Sequence, residues 1–264
     1  MALPTDEGAE LVKMAGYVLV GFKSLPEGSD SDASFAALVD EQLKADIKTA
    51  DGGQCLFAGK PYGVYETACT GPPHCCVFKF ASKEAATGFV TSNGKLTDQT
   101  FLSHVDMRCF EGPEDLFSEG PGNAYWCAWI GDVVDVEKLM EYVGPSMKAS
   151  DAGYPCVQDD GSVEKMTWAI KHLGVSDGYG KTREIVPAKG EGKVFIMPHA
   201  TTDNACVAVL GLGKTGKRVR ETTEYKNTLI APYGVEYTTE EEYEKLTQKF
   251  MDEVLKRDLR IIVL

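Results

Sequence analysis

Apolar positions recur along the chain in two spacings, and the order of the segments they mark repeats. Gly16 to Lys23 (GYVLVGFK) has the character of a strand, and Ser34 to Ala50 follows with Phe35, Val39, Leu43 and Ile47 along one helical face. Asp51 to Gly53 ends that helix, because glycine tolerates the left-handed conformation of a C-cap. QCLFAG and, past the turn Gly71 to Pro73, CCVFKFAS are further strands. Ser82 caps a short helix through Val90, and Phe101 to Phe110 (FLSHVDMRCF) closes the unit, giving the order βαββαβ.

Glu111 to Asn123 is rich in Gly, Pro and acid, without periodicity, and has the composition of a linker. The pattern then restarts. AYWCAWI (Ala124 to Ile130) is a strand, and Val136, Leu139, Met140, Val143 and Met147 mark a helical face. KVFIMP and ACVAVLGL are two more strands, a capping box of Thr239 with Glu242 opens a last helix bearing Tyr243, Leu246, Phe250 and Val254, and LRIIVL is the final strand. An insertion at 158–192 carries a predicted helix over Val163 to Leu173 and a Gly-rich loop. The expected organisation is a first unit at 1–112, a linker at 113–122 and a second unit at 123–264.

This βαββαβ order, and especially NAYWCAWIGDVVDVEKLMEYVGPSM, resembles the ferredoxin-like dimeric α/β-barrel superfamily, nearest to its small uncharacterised bacterial members that open with an AYW-type strand. The resemblance covers the first unit evenly and, in the second, mainly the opening strand and helix. It implies an α+β fold of two fused ferredoxin-like units whose sheets form an intrachain pseudo-dimeric α/β barrel. It also implies chemistry such as cofactor-independent isomerisation, cyclisation or oxygenation of a small aromatic or polyketide-like substrate. No haem ligand transfers onto this chain, so the expected cofactor is none. A non-catalytic ligand carrier or a protein-interaction and assembly module is the alternative.

Charge narrows the partners. With 27 Lys and Arg against 40 Asp and Glu the formal net charge is −13, which disfavours nucleic acid or an anionic membrane, since phosphate surfaces require a basic face. No apolar run reaches the ~18 residues of a membrane span, and the acidic opening segment resembles no targeting peptide. A cytoplasmic protein with a small-molecule ligand is the expectation, with further homo-oligomerisation left open. The 8 cysteines form no C-x-x-C pair and sit in apolar runs, so they are expected as free core thiols. No metal site is expected, because His74, Cys75 and Cys76 on one strand point to opposite faces.

Candidate chemistry comes from strand alternation. In Phe101 to Phe110 one face carries Val105, Met107 and Cys109, and the other His104, Asp106, Arg108 and Phe110. Facing a cavity between sheets, His104 would be an acid/base group, Asp106 its orienter and Arg108 a binder of carboxylate or enolate. A solvated or pseudo-dimer face is the alternative. Tyr125 and Trp129 are offered as pocket walls or core, Tyr17 and Lys79 as neighbours of the same cavity, and His199 as a second base at a strand end. Gly211 to Lys217 satisfies G-x-x-x-x-G-K, but Arg218 stands where a P-loop needs Ser or Thr, and VRETTEYKN lacks an apolar stripe. A mobile cationic loop bearing Lys214, Lys217, Arg218 and Arg220 is the expectation there.

Overall fold

The computed structural model describes residues 13–22, 43–65, 74–98, 104–117, 122–135, 137–139, 141–142, 154–157, 163–166, 169–173, 175–176, 182–183, 206–213 and 216–264. The elements are β1 (Met14–Phe22), α1 (Lys44–Thr49), β2 (Gln54–Gly59), β3 (Gly63–Tyr65), β4 (Cys75–Phe80), α2 (Lys83–Ser92) and β5 (Val105–Pro113). They continue with β6 (Ala124–Val133), β7 (Tyr154–Val157), β8 (Val163–Met166), β9 (Ala169–Leu173), β10 (Val175–Ser176), β11 (Thr182–Arg183) and β12 (Cys206–Gly213). A 3-10 turn (Gly216–Glu221), α3 (Thr223–Ile230), α4 (Glu240–Glu253) and β13 (Leu255–Val263) complete them.

The fold is α+β and of ferredoxin-like type. One sheet has the order β2-β4-β1-β5, and a larger one has β3-β13-β6-β12-β9. The pairings within both are antiparallel. Strands β1 and β6 sit inside their sheets and are buried on both sides, so they appear as continuous apolar runs rather than as alternating ones. From β1, Val18, Val20 and Phe22 pack with Ile47 of α1 and Phe89 of α2. From β6, Trp126, Ala128 and Ile130 pack with Tyr225 of α3 and Tyr243 and Phe250 of α4. The opposite faces meet each other: Tyr17, Leu19, Cys75, Val77 and Phe110 of the first sheet share a buried cluster with Tyr125, Cys127, Trp129 and Val209 of the second.

Local sequence chemistry sets the helix ends. Ser82 accepts from the Ala85 N–H at 3.2 Å and Thr239 from the Glu242 N–H at 3.3 Å, while Glu240, Glu241 and Glu242 place negative charge at the positive end of α4. Gly52, at φ +64°, turns the chain from α1 into β2 so close to the backbone of Ala81 that a Cβ would lie 2.6 Å from its nitrogen.

Several elements depart from the sequence reading. The helix expected over Val163 to Leu173 is replaced by β8 and β9, and β9, with His172, pairs with β12. The VRETTEYKN stretch, which by itself has no apolar helical stripe, contributes to α3: Thr222 caps it, and its apolar side, Tyr225, Leu229 and Ile230, lies partly beyond that stretch. β3 pairs with β13 and so carries a residue run from the first half of the chain into the second sheet. β5 runs on to Pro113, into the expected linker. KVFIMP lies outside the described residues. No helix among the described residues is long and apolar enough to cross a membrane.

Candidate functional site

On β5 the side chains divide as alternation predicts: Val105, Met107 and Cys109 pack toward the helices, and Phe110 toward the second sheet. Arg108 is 5% exposed and binds Asp106 through two parallel bonds, Nε to Oδ1 at 2.9 Å and Nη2 to Oδ2 at 2.7 Å. Its remaining nitrogen, Nη1, donates to the carbonyl of Ile130 on β6. The carboxylate offered to His104 as an orienter is thus held by Arg108, and the guanidinium offered to a ligand is engaged on two sides. His104 stands half-buried immediately before β5.

The same arrangement recurs on β13, in residues the sequence reading passed over. Arg260, 0% exposed, donates Nη2 to Asp258 Oδ2 at 2.8 Å and to the Phe22 carbonyl of β1 at 2.8 Å, and Nη1 to the His74 carbonyl. The registers match: Asp106 and Arg108 lie opposite Gly21 and Leu19 of β1, and Asp258 and Arg260 opposite Trp129 and Cys127 of β6. Each Asp-x-Arg pair therefore reaches from the last strand of one half to the end of the first strand of the other. The repeated D-x-R, in VDMRCF and RDLRII, is the sequence signal that would have found it.

The halves differ in size at the position opposite the aspartate. Trp129 lies where β1 has Gly21, its ring so near that a Cβ on Gly21 would be 3.2 Å from it, and the Arg260 guanidinium sits 5.3 Å from the ring centroid. The Trp129 indole Nε1 is buried with no hydrogen-bond partner among the described residues. Tyr125 and Tyr17 are fully buried in the same layer. Tyr17 Oη lies 2.7 Å from the Pro113 carbonyl, and Lys79 Nζ donates to the Glu114 carbonyl at 2.8 Å. Both side chains tie down the turn after β5, whose Phe117 packs 5.5 Å from the Tyr17 ring and 5.1 Å from that of Tyr125. His199 lies outside the described residues.

Among the described residues Cys55, Cys75, Cys76, Cys109 and Cys127 form no disulfide; Cys75, Cys76 and Cys127 are buried, as expected of core thiols, and Cys55 and Cys109 are half-buried. Burial pushes the Cys75 thiol up to about 12 and that of Cys109 up to about 11, and raises Cys76 and Cys127 well above the usual thiol range. No group of His, Cys, Asp and Glu suited to a metal ion occurs among the described residues.

A second locus opens on the outer side of the larger sheet. A cleft of about 620 Å³ lies between β3, the 3-10 turn, α4 and the start of β13. Two arginines on its wall are nearly buried, Arg220 at 8% and Arg257 at 9%. The Arg220 guanidinium sits 4.6 Å from the Tyr65 ring and 5.4 Å from that of Tyr225, and donates to Tyr243 Oη at 3.1 Å. Arg257 lies 5.6 Å from the rings of Trp126, Tyr142 and Phe250. Burial raises the phenols of Tyr65 and Tyr243, so both stay neutral donors near pH 7. Glu244, Asp252 and Lys256 stand exposed at the rim. Arg220, expected in a mobile cationic loop, is instead a packed residue of the 3-10 turn.

No family model matches the chain, and no curated protein does. Among solved structures it is similar to an anthrone oxidase-like protein, at 11% identity over 95% of this chain and 92% of that one, with a TM-score of 0.43. It is also similar to a protein from Lactobacillus acidophilus NCFM described as a putative monooxygenase, at 11% identity over 95% and 93% of the two chains, with a TM-score of 0.32.

Proposed function

We propose that the chain is a small-molecule-binding protein built as an intrachain pseudo-dimeric α/β barrel, and that its ligand sits in the outer cleft instead of between the sheets. What supports the barrel is the matched pair of Asp-x-Arg bridges, each spanning from one sheet to the other. The observation carrying the ligand site is the pair of buried guanidinium groups, Arg220 and Arg257, walled by aromatic rings and opening into a cleft of about 620 Å³. That size falls in the usual range of ~300 to 1,000 Å³ for small-ligand pockets, and a few polar groups in an apolar wall are what such pockets use for orientation. The described inner faces of the sheets, by contrast, are filled by their own side chains.

The test is ligand-induced stabilisation of the full chain over a panel of small carboxylates, phosphates and amines. A rise in melting temperature that is lost in Arg220→Gln supports the cleft; a rise unaffected by Arg220→Gln and lost in His104→Ala would move the site to the mouth of β5. The latter outcome is what a second reading requires, in which His104, half-buried beside the Asp106–Arg108 pair, carries a proton in acid/base catalysis.

A further inference from the structure

The cleft is polarised from floor to rim. Its buried end presents two guanidinium groups and the phenol of Tyr243, which together suit a single anionic group such as a carboxylate. Its middle is lined by Val64 and Met251 along with the Tyr65 ring, a surface for an apolar or aromatic body. Its open end carries the exposed carboxylates of Glu244 and Asp252, on the same side of α4, together with the exposed Lys256, a balance of two acids to one base. Glu240, also on the wall, is occupied by Lys226 at 2.5 Å and by Tyr237 Oη at 2.9 Å, and Asp252 accepts from Gln248 Nε2 at 3.1 Å through one oxygen, so Glu244 leads the acidic character of the rim. A net charge of −13 adds a field that repels polyanions, which sets nucleotides and polyphosphates at a disadvantage.

Resting on the reading of the cleft as the ligand site, we propose that its ligand is a small zwitterion: a carboxylate directed to Arg220 and Arg257, an apolar or aromatic body against Tyr65, and an amine at the Glu244 and Asp252 rim. An aromatic amino acid has this layout. A ligand lacking either charge loses one end of the site, and removal of a hydrogen-bonded charged partner costs about tenfold or more in affinity.

Isothermal titration of the full chain with L-phenylalanine, 3-phenylpropionate and phenethylamine separates the two ends. The zwitterion binds about tenfold or more tightly than either singly charged analogue. Arg220→Gln weakens phenylalanine and phenylpropionate by about tenfold and leaves phenethylamine unchanged. Glu244→Gln, on an exposed helix face where folding is not at stake, weakens phenylalanine and phenethylamine and spares phenylpropionate. Phenylpropionate binding as tightly as phenylalanine, while still sensitive to Arg220→Gln, overturns the zwitterion and leaves the anion-binding cleft standing. Heats absent for all three compounds, or unaltered by both substitutions, overturn the zwitterion and the cleft together.

Discussion

Arg108 and Arg260 differ from Arg220 and Arg257 in how the fold accommodates a buried cation. The inner pair is closed by protein alone: each guanidinium meets a carboxylate two residues away on its own strand and a backbone carbonyl of the facing half. The outer pair is set among aromatic rings, and both of its members border a cleft. Carboxylate and carbonyl oxygens use up the donors of a guanidinium in fixed directions, whereas a ring face attracts the charge without occupying its edge. The inner arrangement ties the two sheets together; the outer one sets two guanidinium groups on the wall of a cleft, where Arg220 also donates to Tyr243 Oη.

The largest effect that breaks this comparison is expected on the inner side. Asp258→Ala strands the Arg260 guanidinium in the core and should lower unfolding free energy by about 3 to 5 kcal/mol, read from the urea midpoint. Replacing both members at once, Asp258→Leu with Arg260→Met, should recover part of that loss, because the desolvation cost of the charges disappears with the pair while the Phe22 and His74 carbonyls lose a donor. Next comes Trp129→Ala, which empties a ring's volume above Gly21 and is expected to cost about 3 kcal/mol in the same titration. Arg220→Gln is expected to cost about 1 to 2 kcal/mol in stability, with ligand affinity as its principal readout.

The thiols sharpen the contrast by reporting how closed the inner layer is. Cys75 titrates near 9.0 when exposed and at about 12 in the fold, so its contribution to stability is present below pH 9 and is lost as pH rises toward 12. Near pH 8 a thiol-reactive disulfide reagent should therefore label Cys75 and Cys127, which lie between the sheets, only at the rate of unfolding, and promptly in urea. Fast labelling of the native chain at these positions would show that the layer between the sheets opens to solvent. The smallest effect belongs to the outer scaffold: Thr239→Ala removes the cap of α4 and should cost about 1 kcal/mol by thermal melting.

Legibility in the sequence followed where burial is two-sided or periodicity is long. β1 and the Ala124 to Ile130 part of β6 announce themselves as continuous apolar runs because helices cover one face and the other sheet covers the second. α4 is legible from its cap to Phe250 because four turns of period 3.6 stand beside a Thr–Glu start. β8 and β9 were hidden: Met166, Ile170 and Leu173 have helical spacing, yet pairing with β12 draws Ala169–Leu173 into the sheet. β3 is only Gly63–Tyr65 and exists because β13 offers an edge. Of the candidate site, the shared face of Asp106 and Arg108 was readable from alternation, but their mutual pairing was not, since alternation places side chains without choosing partners. Arg220 and Arg257 are scattered in sequence, and only the fold brings them to one cleft.

Hydrogen exchange on the full chain, with and without saturating L-phenylalanine, tests the division between a closed interior and an open cleft most directly. The expected result is slowed exchange at Val64 and Tyr65, through α4 and at the start of β13, with β1, β5 and β6 unchanged. Slowed exchange confined to β1, β5 and β6, with α4 unaffected, would place the ligand between the sheets and contradict the account.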